Sequence, residues 1–278
     1  MHTLKTDLEE VIQEKIVEFP VHSGKITTQS GKTYFLKSGP PSPIYQCELN
    51  GLNELKKSAT IKVCKVFFAE DNYILTEFIQ ETHPDKSFFS RFGSSLAKLH
   101  QYTQPHYGFY EDNFVGLSYQ LNIPTSREKN NWIDFYFNKR LLYQFHLAER
   151  NHVASKNLTD YFHKLESKIE DILEDSLEPP TLLHGDLWSG NFLCNVSNDP
   201  IFIDPAVYYG HREADLAMTK LFGGFPDSFY KAYQDEYPLL PGWEYREGIY
   251  KLYHVLNHLN LFGRTYLSAA EQLIKQYI

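Results

Sequence analysis

The sequence has little of what membrane-spanning, secreted or nucleic-acid-binding proteins depend on. No stretch approaches the ~20 consecutive apolar residues that a membrane span needs. The 35 Asp and Glu outnumber the 27 Lys and Arg, so the formal charge of −8 leaves no basic surplus for nucleic acid or an anionic membrane. The three cysteines are odd in number and have no metal-ligand spacing, which favours a reducing compartment over a disulfide framework. We therefore expect a cytoplasmic protein that binds neither nucleic acid nor membrane.

The chain has the length and apolar content of a globular protein with a substantial core. Its 278 residues suffice for one large domain or two lobes, and 42% of them are hydrophobic. Residues 1–16 show an acidic amphipathic helical pattern without the apolar run of a signal peptide, in agreement with a cytoplasmic location. The sequence gives no indication of the oligomeric state.

The most informative stretch is residues 182–206. Two short apolar runs within it flank a turn-rich segment, which predicts a β-hairpin. A turn centred between Ser197 and Asn198 would place Asn191 directly opposite Asp204, on the same face of the hairpin. An amide oxygen and a carboxylate so placed can share a hard cation such as Mg²⁺.

A third polar residue, Asp186, precedes Asn191 with four residues between them. Protein kinases use an Asp-x-x-x-x-Asn spacing for a catalytic base and a metal ligand, and a second metal-binding Asp follows after a short hairpin. Taken singly, Asp186 could be a turn residue and Asp204 a strand-terminating cap. Together with the hairpin, the spacing indicates a phosphoryl-transfer site.

The amino-terminal region predicts a lysine and a glutamate that support such a site. Strands over 25–29 and 32–37 alternate around Ser30-Gly31, and Lys37 ends the second strand. A helix over 44–57 carries Glu48 on its apolar stripe, and a buried carboxylate needs a cation. Lys37 is the nearest candidate, and kinases hold a phosphate-binding lysine in this way. In the alternative interpretation, Lys37 is a solvated edge residue and Glu48 lies at the edge of the stripe.

The remaining pattern completes a two-lobed protein. Strands over 62–68 and 73–79 finish a small, mostly antiparallel sheet, and the polar stretch 80–86 is typical of a hinge. Glu77, Phe78 and Ile79 lie where kinases hydrogen-bond adenine. The other predicted helices cover residues 88–101, 132–149, 155–177, 213–222, 226–236 and 244–277, with 102–130 as loop. The prediction is an α+β, bilobal protein kinase-like fold, with 1–79 as a sheet lobe containing one helix and 80–278 as a mostly helical lobe.

Several motifs together resemble the fructosamine kinase (ketosamine-3-kinase) family, a branch of the kinase-like aminoglycoside and choline phosphotransferases. The match is densest over 181–225 and extends from about residue 20 to the end. The segments that carry the resemblance are Tyr34–Lys37, Leu96–His100, His184–Asn191, Asp204–Ala206, Gly210–Met218, Leu221–Phe225 and Leu256–His258. His100 within them is expected to be a core histidine.

The resemblance implies a role for each candidate residue. Asp186 would be the general base, Asn191 and Asp204 would hold Mg²⁺, Lys37 would contact the ATP phosphates, Glu48 would orient Lys37, and Glu77, Phe78 and Ile79 would form the adenine hinge. Asp215 resembles the aspartate that anchors the catalytic loop. One departure concerns the loop over the phosphates: family members usually carry a glycine pair there, whereas residues 19–25 are shortened and keep only Gly24.

The implied function is ATP-dependent phosphorylation of the 3-hydroxyl of a ketosamine, a fructosamine or ribulosamine on a glycated amine or protein, which is a deglycation repair activity. Trp188 would stack on the sugar or attract the protonated amine, although an aromatic residue there could serve only as packing. One alternative is a small-molecule hydroxyl kinase of the aminoglycoside or choline type. Another is a nucleotide-binding pseudokinase, which the depleted glycine loop favours.

Overall fold

The computed structural model describes residues 4–174 and 178–278, and its amino-terminal part is built on an antiparallel sheet. The first six strands are β1 (Ile16–Glu18), β2 (Gly24–Thr28), β3 (Thr33–Ser38), β4 (Lys62–Val63), β5 (Val66–Glu70) and β6 (Tyr73–Glu77). All except β4 form one sheet in the order β1-β2-β3-β6-β5. The small antiparallel sheet predicted from the sequence is therefore confirmed.

Helix α1 (Leu4–Ile12) closes one face of this sheet with its buried Leu8. Alternation along β3 turns Tyr34 and Leu36 inward, as the period of two residues in a strand requires. We call α1 with β1–β3, β5 and β6 the sheet lobe. Its core consists of Leu8, Ile16, Ile26, Tyr34, Leu36, Tyr73 and Leu75.

Helix α2 (Ile44–Lys56) follows a proline-rich break and matches the predicted helix to within one residue. Pro43 immediately precedes the helix, where its fixed φ is compatible with a first turn and its missing N–H is not needed. The buried apolar residues of α2 are Leu52 and Leu55, on the stripe that the sequence pattern predicts.

The single strand predicted over 62–68 is wrong. β4 pairs in parallel with β11 (Pro200–Phe202) of the later hairpin, while β5 begins at Val66 and joins the sheet lobe. Cys64 between them is buried against Leu52 and Ile201. The apolar pattern runs through both strands without a turn signal, so the sequence offers no indication of the break. The boundary predicted between residues 79 and 80 stays a prediction.

From residue 80 onward the chain is mostly helical, and we call this part, with its hairpins, the helical lobe. A π-helical segment, Phe137–Leu142, separates α4 from α5. The helices are α3 (Phe88–Leu99), α4 (Trp132–Tyr136), α5 (Tyr143–Arg150), α6 (Lys156–Glu166), α7 (Ile169–Leu173), α8 (Glu213–Leu221), α9 (Asp227–Glu236), α10 (Trp243–Phe262) and α11 (Leu267–Lys275). Two short 3₁₀ turns lie at Glu128–Asn130 and Arg264–Tyr266.

Three long helices predicted from the sequence are segmented. The predicted helix over 132–149 contains the π-helical segment, and the helix over 244–277 ends at Gly263, whose φ of 82° is left-handed. The helix over 155–177 ends at Glu166 and resumes as α7. Residues 175–177 of that prediction lie outside the described residues.

A hairpin of β7 (Asn113–Val115) and β8 (Ser118–Gln120) lies in the region predicted as loop. Its three-residue strands are too short to give a periodic signal, so this part of the loop prediction is wrong. Asn113 Nδ2 donates to the carbonyl of Val207 at 2.8 Å, and Gln120 Nε2 donates to the carbonyl of Ala206 at 3.0 Å. The hairpin is thereby fixed to the segment that follows Asp204.

Two more strand pairs frame the motif-rich stretch. β9 (Thr181–Leu183) pairs with β12 (Tyr208–Gly210), and β10 (Phe192–Cys194) pairs with β11, both antiparallel. Behind them, Phe92 contacts the rings of Phe192, Phe202, Phe225 and Phe229 in the main core. Among residues 4–174 and 178–278, no helix has both the length and the apolar character needed to cross a membrane.

Candidate active site

The loop between β9 and β10 is fixed by one buried carboxylate. Asp215 accepts hydrogen bonds from the backbone N–H groups of His184 at 2.7 Å and Gly185 at 2.8 Å. The ring of His100 contacts the same carboxylate at 3.2 Å, and the Tyr233 hydroxyl at 2.8 Å. Burial opposes ionisation, but these donors hold the pKa of Asp215 below its usual value. His100 is thus a core histidine, as predicted, and Asp215 lies where it can anchor the loop.

Gly185 is required by the geometry of this loop. Its φ is 84°, and a Cβ there would lie 2.0 Å from the carbonyl oxygen of Ala206. The His184 ring on one side is within 2.9 Å of the Ile203 carbonyl oxygen, which a protonated Nε2 can satisfy. The backbone of His184 and Gly185, immediately before Asp186, is therefore held by contacts with Ile203 and Ala206.

Asp186 faces a cavity of about 410 Å³ between the two lobes. Burial raises its pKa to about 7, and the nearby charges of Asp204 and Asp215 add to the effect, against a hydrogen bond from Asn191. A carboxylate with this pKa is a far stronger base than an exposed aspartate. It is suited to accepting a hydroxyl proton near neutral pH.

The hairpin that follows differs by one residue from the predicted register. Phe192 pairs with Phe202, and the N–H of Ile203 donates to the carbonyl of Asn191 at 3.1 Å, so Asn191 lies opposite Ile203 rather than Asp204. The turn is centred on Ser197, because the side chain of Asn195 accepts hydrogen bonds across it from two backbone N–H groups.

Asp204 nevertheless reaches the same cavity as Asn191 and Asp186. Its φ of 54° takes the chain out of the extended conformation two residues after β11 ends. The predicted pairing across the hairpin is therefore wrong, while the predicted proximity of the three side chains holds.

Asn191 and Asp204 offer oxygen atoms of the kind that Mg²⁺ prefers. The amide nitrogen of Asn191 donates to the backbone carbonyl of Asp186 at 2.7 Å and to its carboxylate at 3.1 Å, which turns the amide oxygen away from Asp186. The Asp204 side chain is 41% exposed toward the cleft. Within residues 4–174 and 178–278 there is no group of three or more His, Cys, Asp or Glu with metal-binding geometry. One carboxylate and one amide fit a cation that takes its other ligands from phosphates and water.

Lys37 joins the two lobes at this point. Its Nζ lies 2.7 Å from Glu48 on α2, the predicted partner, and forms a second ion pair with Asp204. Burial alone would lower the pKa of Lys37, but the two carboxylates raise it above its ordinary value, so the side chain is a cation. Glu48 therefore lies on the apolar stripe of α2 because it packs beside Lys37. The alternative interpretation, with Lys37 solvated and Glu48 at the edge of the stripe, is wrong.

The three predicted hinge residues line a second, narrower cavity of about 190 Å³. Glu77, Phe78 and Ile79 form one side, and Lys37 and Asp204 lie at the junction with the first cavity. The carboxylate of Glu77 accepts from the backbone N–H of Lys65 at 2.7 Å. A slot of this size beside the cation of Lys37 suits a base whose phosphates extend toward Asp204.

The shortened loop before β2 lies against the end of β3. Ser23 Oγ accepts from the backbone N–H of Ser38 at 3.2 Å, and Ser38 Oγ donates to the carbonyl of His22 at 3.3 Å. Ser23 is at the edge of the main cavity, on the side of Lys37. Ser23 is therefore the residue of this loop that lines the cavity near Lys37, where the phosphates are expected.

Trp188 is half-buried and lines the same cavity as Asp186. Its ring packs edge-on against Phe222, with centroids 5.7 Å apart. Gly190 makes this placement possible, since a Cβ at that position would lie 2.4 Å from the indole. The indole of Trp188 therefore forms one wall of the cavity next to Asp186, where the acceptor is expected.

Sequence reasoning missed the opposite wall, which the β7–β8 hairpin provides. Phe114, Gly116 and Leu117 line the cavity from this side, and Leu117 is 81% exposed at the hairpin tip. Tyr45 and Cys47 of α2 complete the lining near Glu48. The signal available in the sequence was weak: Gly116 between two short runs of apolar and polar residues is the only mark of a turn there.

Comparison with known proteins gives a consistent result. Residues 2–278 match the family model described as fructosamine kinase. A "probable ketoamine kinase" of Enterococcus faecium is 39% identical over 252 residues, covering 88% of each chain. A chloroplastic protein-ribulosamine 3-kinase of Arabidopsis thaliana is 37% identical over 257 residues, covering 88% of this chain and 76% of the relative.

A solved structure extends the likeness to the fold. The crystal structure of a "putative fructosamine-3-kinase" from Thermobifida fusca has a TM-score of 0.87 at 27% identity and covers 99% of this chain and 98% of the other. The predicted α+β kinase-like fold is confirmed by this similarity. The family resemblance predicted from the motifs is confirmed by the match over nearly the whole chain.

Proposed function

The chain belongs to the fructosamine kinase family, and we propose that it transfers the γ-phosphoryl group of ATP to the 3-hydroxyl of ketosamines. Membership makes it a phosphotransferase that acts on a hydroxyl group and uses ATP with a divalent cation. The observation that carries the proposal is a single cavity in which Asp186, Asn191, Asp204, Lys37 and Trp188 converge.

On the phosphate side, the chain supplies positive charge and oxygen ligands. Lys37, fixed by Glu48, binds the phosphates of the nucleotide, whose base lies along Glu77 to Ile79. Asn191 and Asp204 hold the divalent cation, which we take to be Mg²⁺ and which neutralises the phosphate charge when bound. Nucleotide binding therefore redirects Lys37 from Asp204 to the phosphates and leaves Glu48 as its remaining partner.

On the acceptor side, Asp186 orients the attacking hydroxyl and accepts its proton. Its raised pKa is compatible with that task, because the group binds a proton tightly enough to accept one from an alcohol as the new bond forms. Most of the remaining catalysis is positioning, since phosphoryl transfer needs little covalent chemistry from the protein.

The half-buried Trp188 supports a ketosamine as the acceptor. Its ring can stack on the C–H face of a sugar and attract the protonated amine at C1, a contact of ~0.5–2 kcal/mol. The C3 hydroxyl would then point toward Asp186. The amine could belong to a small molecule or to a lysine of a glycated protein, so the reaction would be a step of deglycation repair. A cytoplasmic location, where ATP is supplied and thiols stay reduced, belongs to this proposal.

Neither alternative from the sequence gains an observation of its own. An aminoglycoside or choline kinase would use the same phosphate side, and nothing in the acceptor cavity of the described chain favours it over a ketosamine. The pseudokinase interpretation is weakened because every charged group of the proposed machinery lies in the cleft.

The test is a ³¹P-NMR assay with ATP, Mg²⁺ and a panel of acceptors. The panel contains ribulosyl-lysine, fructosyl-lysine, the free ketoses and an aminoglycoside. We expect ketosamine 3-phosphates, and a turnover lowered by a factor of ~10² or more in Asp186→Asn, which keeps the shape of the side chain. Faster turnover of the aminoglycoside, or no turnover of any sugar alongside clean ATP binding, would contradict the proposal.

A further inference from the structure

Helix α2 carries Glu48, yet its buried leucines lie outside the core of the sheet lobe. Among the described residues, the core of that lobe contains only members of α1 and the sheet strands. Leu55 of α2 belongs instead to the main core of the helical lobe. Leu52 packs with Cys64 and with Ile201 of the β10–β11 hairpin. The helix also lies against β5 and β6 of the sheet lobe, but its fully buried leucines pack into clusters to which the helical lobe contributes.

Gly51 brings the backbone of α2 into direct contact with the segment after Asp204. A Cβ at position 51 would lie 3.2 Å from Pro205 Cγ and 3.5 Å from both methyl groups of Val207. A glycine within a helix costs roughly 1 kcal/mol relative to alanine. Its presence here is explained by the close approach of α2 to the chain that presents Asp204.

Two polar contacts tie α2 to the same lobe. The Tyr209 hydroxyl donates to Glu54 Oε1 at 2.9 Å, and both residues are buried. Asn50 Nδ2 lies 3.0 Å from both carboxylate oxygens of Glu111, at the base of the β7–β8 hairpin. Tyr209 is itself fixed by two backbone hydrogen bonds with Gly108, at 2.8 and 2.9 Å. Burial makes each broken contact costly, since Glu54 would lose a partner away from water.

We infer that α2 moves with the helical lobe, and that Tyr209 and Asn50 are positioning residues that hold Glu48, and through it Lys37. Lys37 lies on β3 and so travels with the sheet lobe. Opening of the cleft then separates Lys37 from both Glu48 and Asp204. Closure around the nucleotide returns Lys37 to Glu48, next to the phosphates. In protein kinases, by contrast, the position of the glutamate-bearing helix is itself controlled. The inference rests on the proposed nucleotide role of Lys37.

Kinetics of matched variants test the positioning role. Tyr209→Phe should lower kcat/KM for ATP roughly tenfold, as loss of a hydrogen bond to a charged group does, while KM for the acceptor stays unchanged. Tyr277→Phe is the control, because the hydroxyl of Tyr277 donates to the carbonyl of Tyr245 at 2.6 Å, entirely within the helical lobe. Equal loss of activity in both tyrosine variants would contradict the role.

Two further comparisons separate positioning from stability. Glu54→Gln keeps an acceptor for the Tyr209 hydroxyl and should retain most activity, whereas Glu54→Ala should behave like Tyr209→Phe. Asn50→Ala should lower kcat/KM for ATP, and Asn53→Ala, on the exposed face of the same helix, should not. If activity merely follows the melting temperature across the set, α2 has no positioning role.

Distance measurements test which body α2 belongs to. Spin labels carried on non-cysteine side chains are placed at the exposed positions Gln29 in the sheet lobe, Asn53 on α2 and Asn157 on α6. Without nucleotide, the Asn53–Asn157 distribution should be narrow and both distributions from Gln29 broader. Mg²⁺ with AMP-PNP should narrow or shift the Gln29 distances and leave Asn53–Asn157 unchanged.

The opposite pattern, in which Gln29–Asn53 stays constant while Asn53–Asn157 shifts, would overturn the inference. Equally narrow, unshifting distributions in all three pairs would also overturn it, since no lobe motion would exist. Calorimetry with AMP-PNP on the same samples separates this result from the proposed function. A protein that fails to bind the nucleotide contradicts the proposed function, whereas the distributions without nucleotide still decide how α2 moves.

Discussion

At the scale of single residues, Asp186 shows how burial sets the chemistry of a carboxylate. In the protein without nucleotide or divalent cation, its pKa is raised by burial from an ordinary 3.8 to about 7. The folded protein therefore holds a proton that the unfolded chain has lost between these pH values. The stabilising contribution is complete below pH 3.8 and is lost as the pH rises through 7.

This gives a prediction for stability in the absence of ligands. Because Asp186→Asn removes the buried charge, its free energy of unfolding should exceed that of the wild type by more at pH 8 than at pH 5, with a difference of at most a few kcal/mol. Urea unfolding in EDTA measures it. Asp160→Asn, at an exposed position, is the control for the same change of charge. If the difference in stability between the wild type and Asp186→Asn is the same at pH 5 and pH 8, the pKa of Asp186 is not raised.

Asp204 has two partners in succession, which yields a second prediction. It pairs with Lys37 in the free protein and is the proposed metal ligand in the complex. Asp204→Ala should abolish the Mg²⁺-dependent part of nucleotide binding and reduce binding in EDTA much less, as calorimetry can measure. Asp199→Ala is the matched control, because Asp199 lies on the hairpin that precedes Asp204 and forms an ion pair with Lys62 of β4. An unchanged affinity for Mg·ATP in Asp204→Ala would show that the metal is held elsewhere.

At the scale of elements, the parts predictable from the sequence are those with a long or chemically marked pattern. α2 and the β2–β3 hairpin match their predictions closely, and the contact between Lys37 and Glu48 follows because a carboxylate on an apolar stripe needs a cation. The hairpin register is off by one because the side chain of Asn195 recentres the turn. Such side-chain capping of a turn is not visible as periodicity.

The elements that escaped prediction are short, and tertiary contacts decide them. β4 has two residues and pairs with β11, which is distant in sequence. The β7–β8 hairpin has three-residue strands and is held in place by the hydrogen bond from Asn113 to Val207, also distant in sequence. The attachment of α2 to the helical lobe is likewise hidden, because an apolar stripe does not specify which of two cores it enters. The sequence therefore predicts the residues on the phosphate side and Trp188 on the acceptor side. It does not predict the second acceptor wall, which the β7–β8 hairpin forms.

The two acceptor walls give a prediction at this scale. Trp188→Leu should raise KM for a ketosamine by a factor of about 2–30, corresponding to the loss of a cation–π contact, and leave KM for ATP nearly unchanged. Leu117→Ser, on the hairpin, should have a smaller effect of the same kind, since it removes apolar contact alone. Leu240→Ser is the control for a partly exposed leucine away from the cleft.

Competition kinetics give the matching negative test of this assignment. Free fructose and ribulose lack the amine, so they should compete weakly with their lysine adducts. If the free ketoses compete as well as the adducts, Trp188 does not recognise the amine, and the acceptor is bound through its sugar alone.

At the scale of the whole molecule, the nucleotide and acceptor sites share structural parts. Lys37, Glu48 and Asp204 line both the nucleotide cavity and the main cavity. Asn50 connects α2, which holds Glu48, to Glu111 at the base of the acceptor hairpin. A ligand that closes one cavity therefore orders groups that the other ligand needs.

The final prediction is a reciprocal coupling between the two ligands. A ketosamine lacking the 3-hydroxyl cannot react, and its presence should tighten Mg·AMP-PNP binding by about fivefold or more, the lower end of common coupling energies. Mg·AMP-PNP should tighten binding of that ketosamine by the same factor, because linkage is symmetric for binding free energies. Calorimetric titrations in both orders measure the two factors. Asn50→Ala should reduce both, whereas Asn53→Ala should not. Independent binding of the two ligands in the wild type would show that the shared residues do not couple the sites.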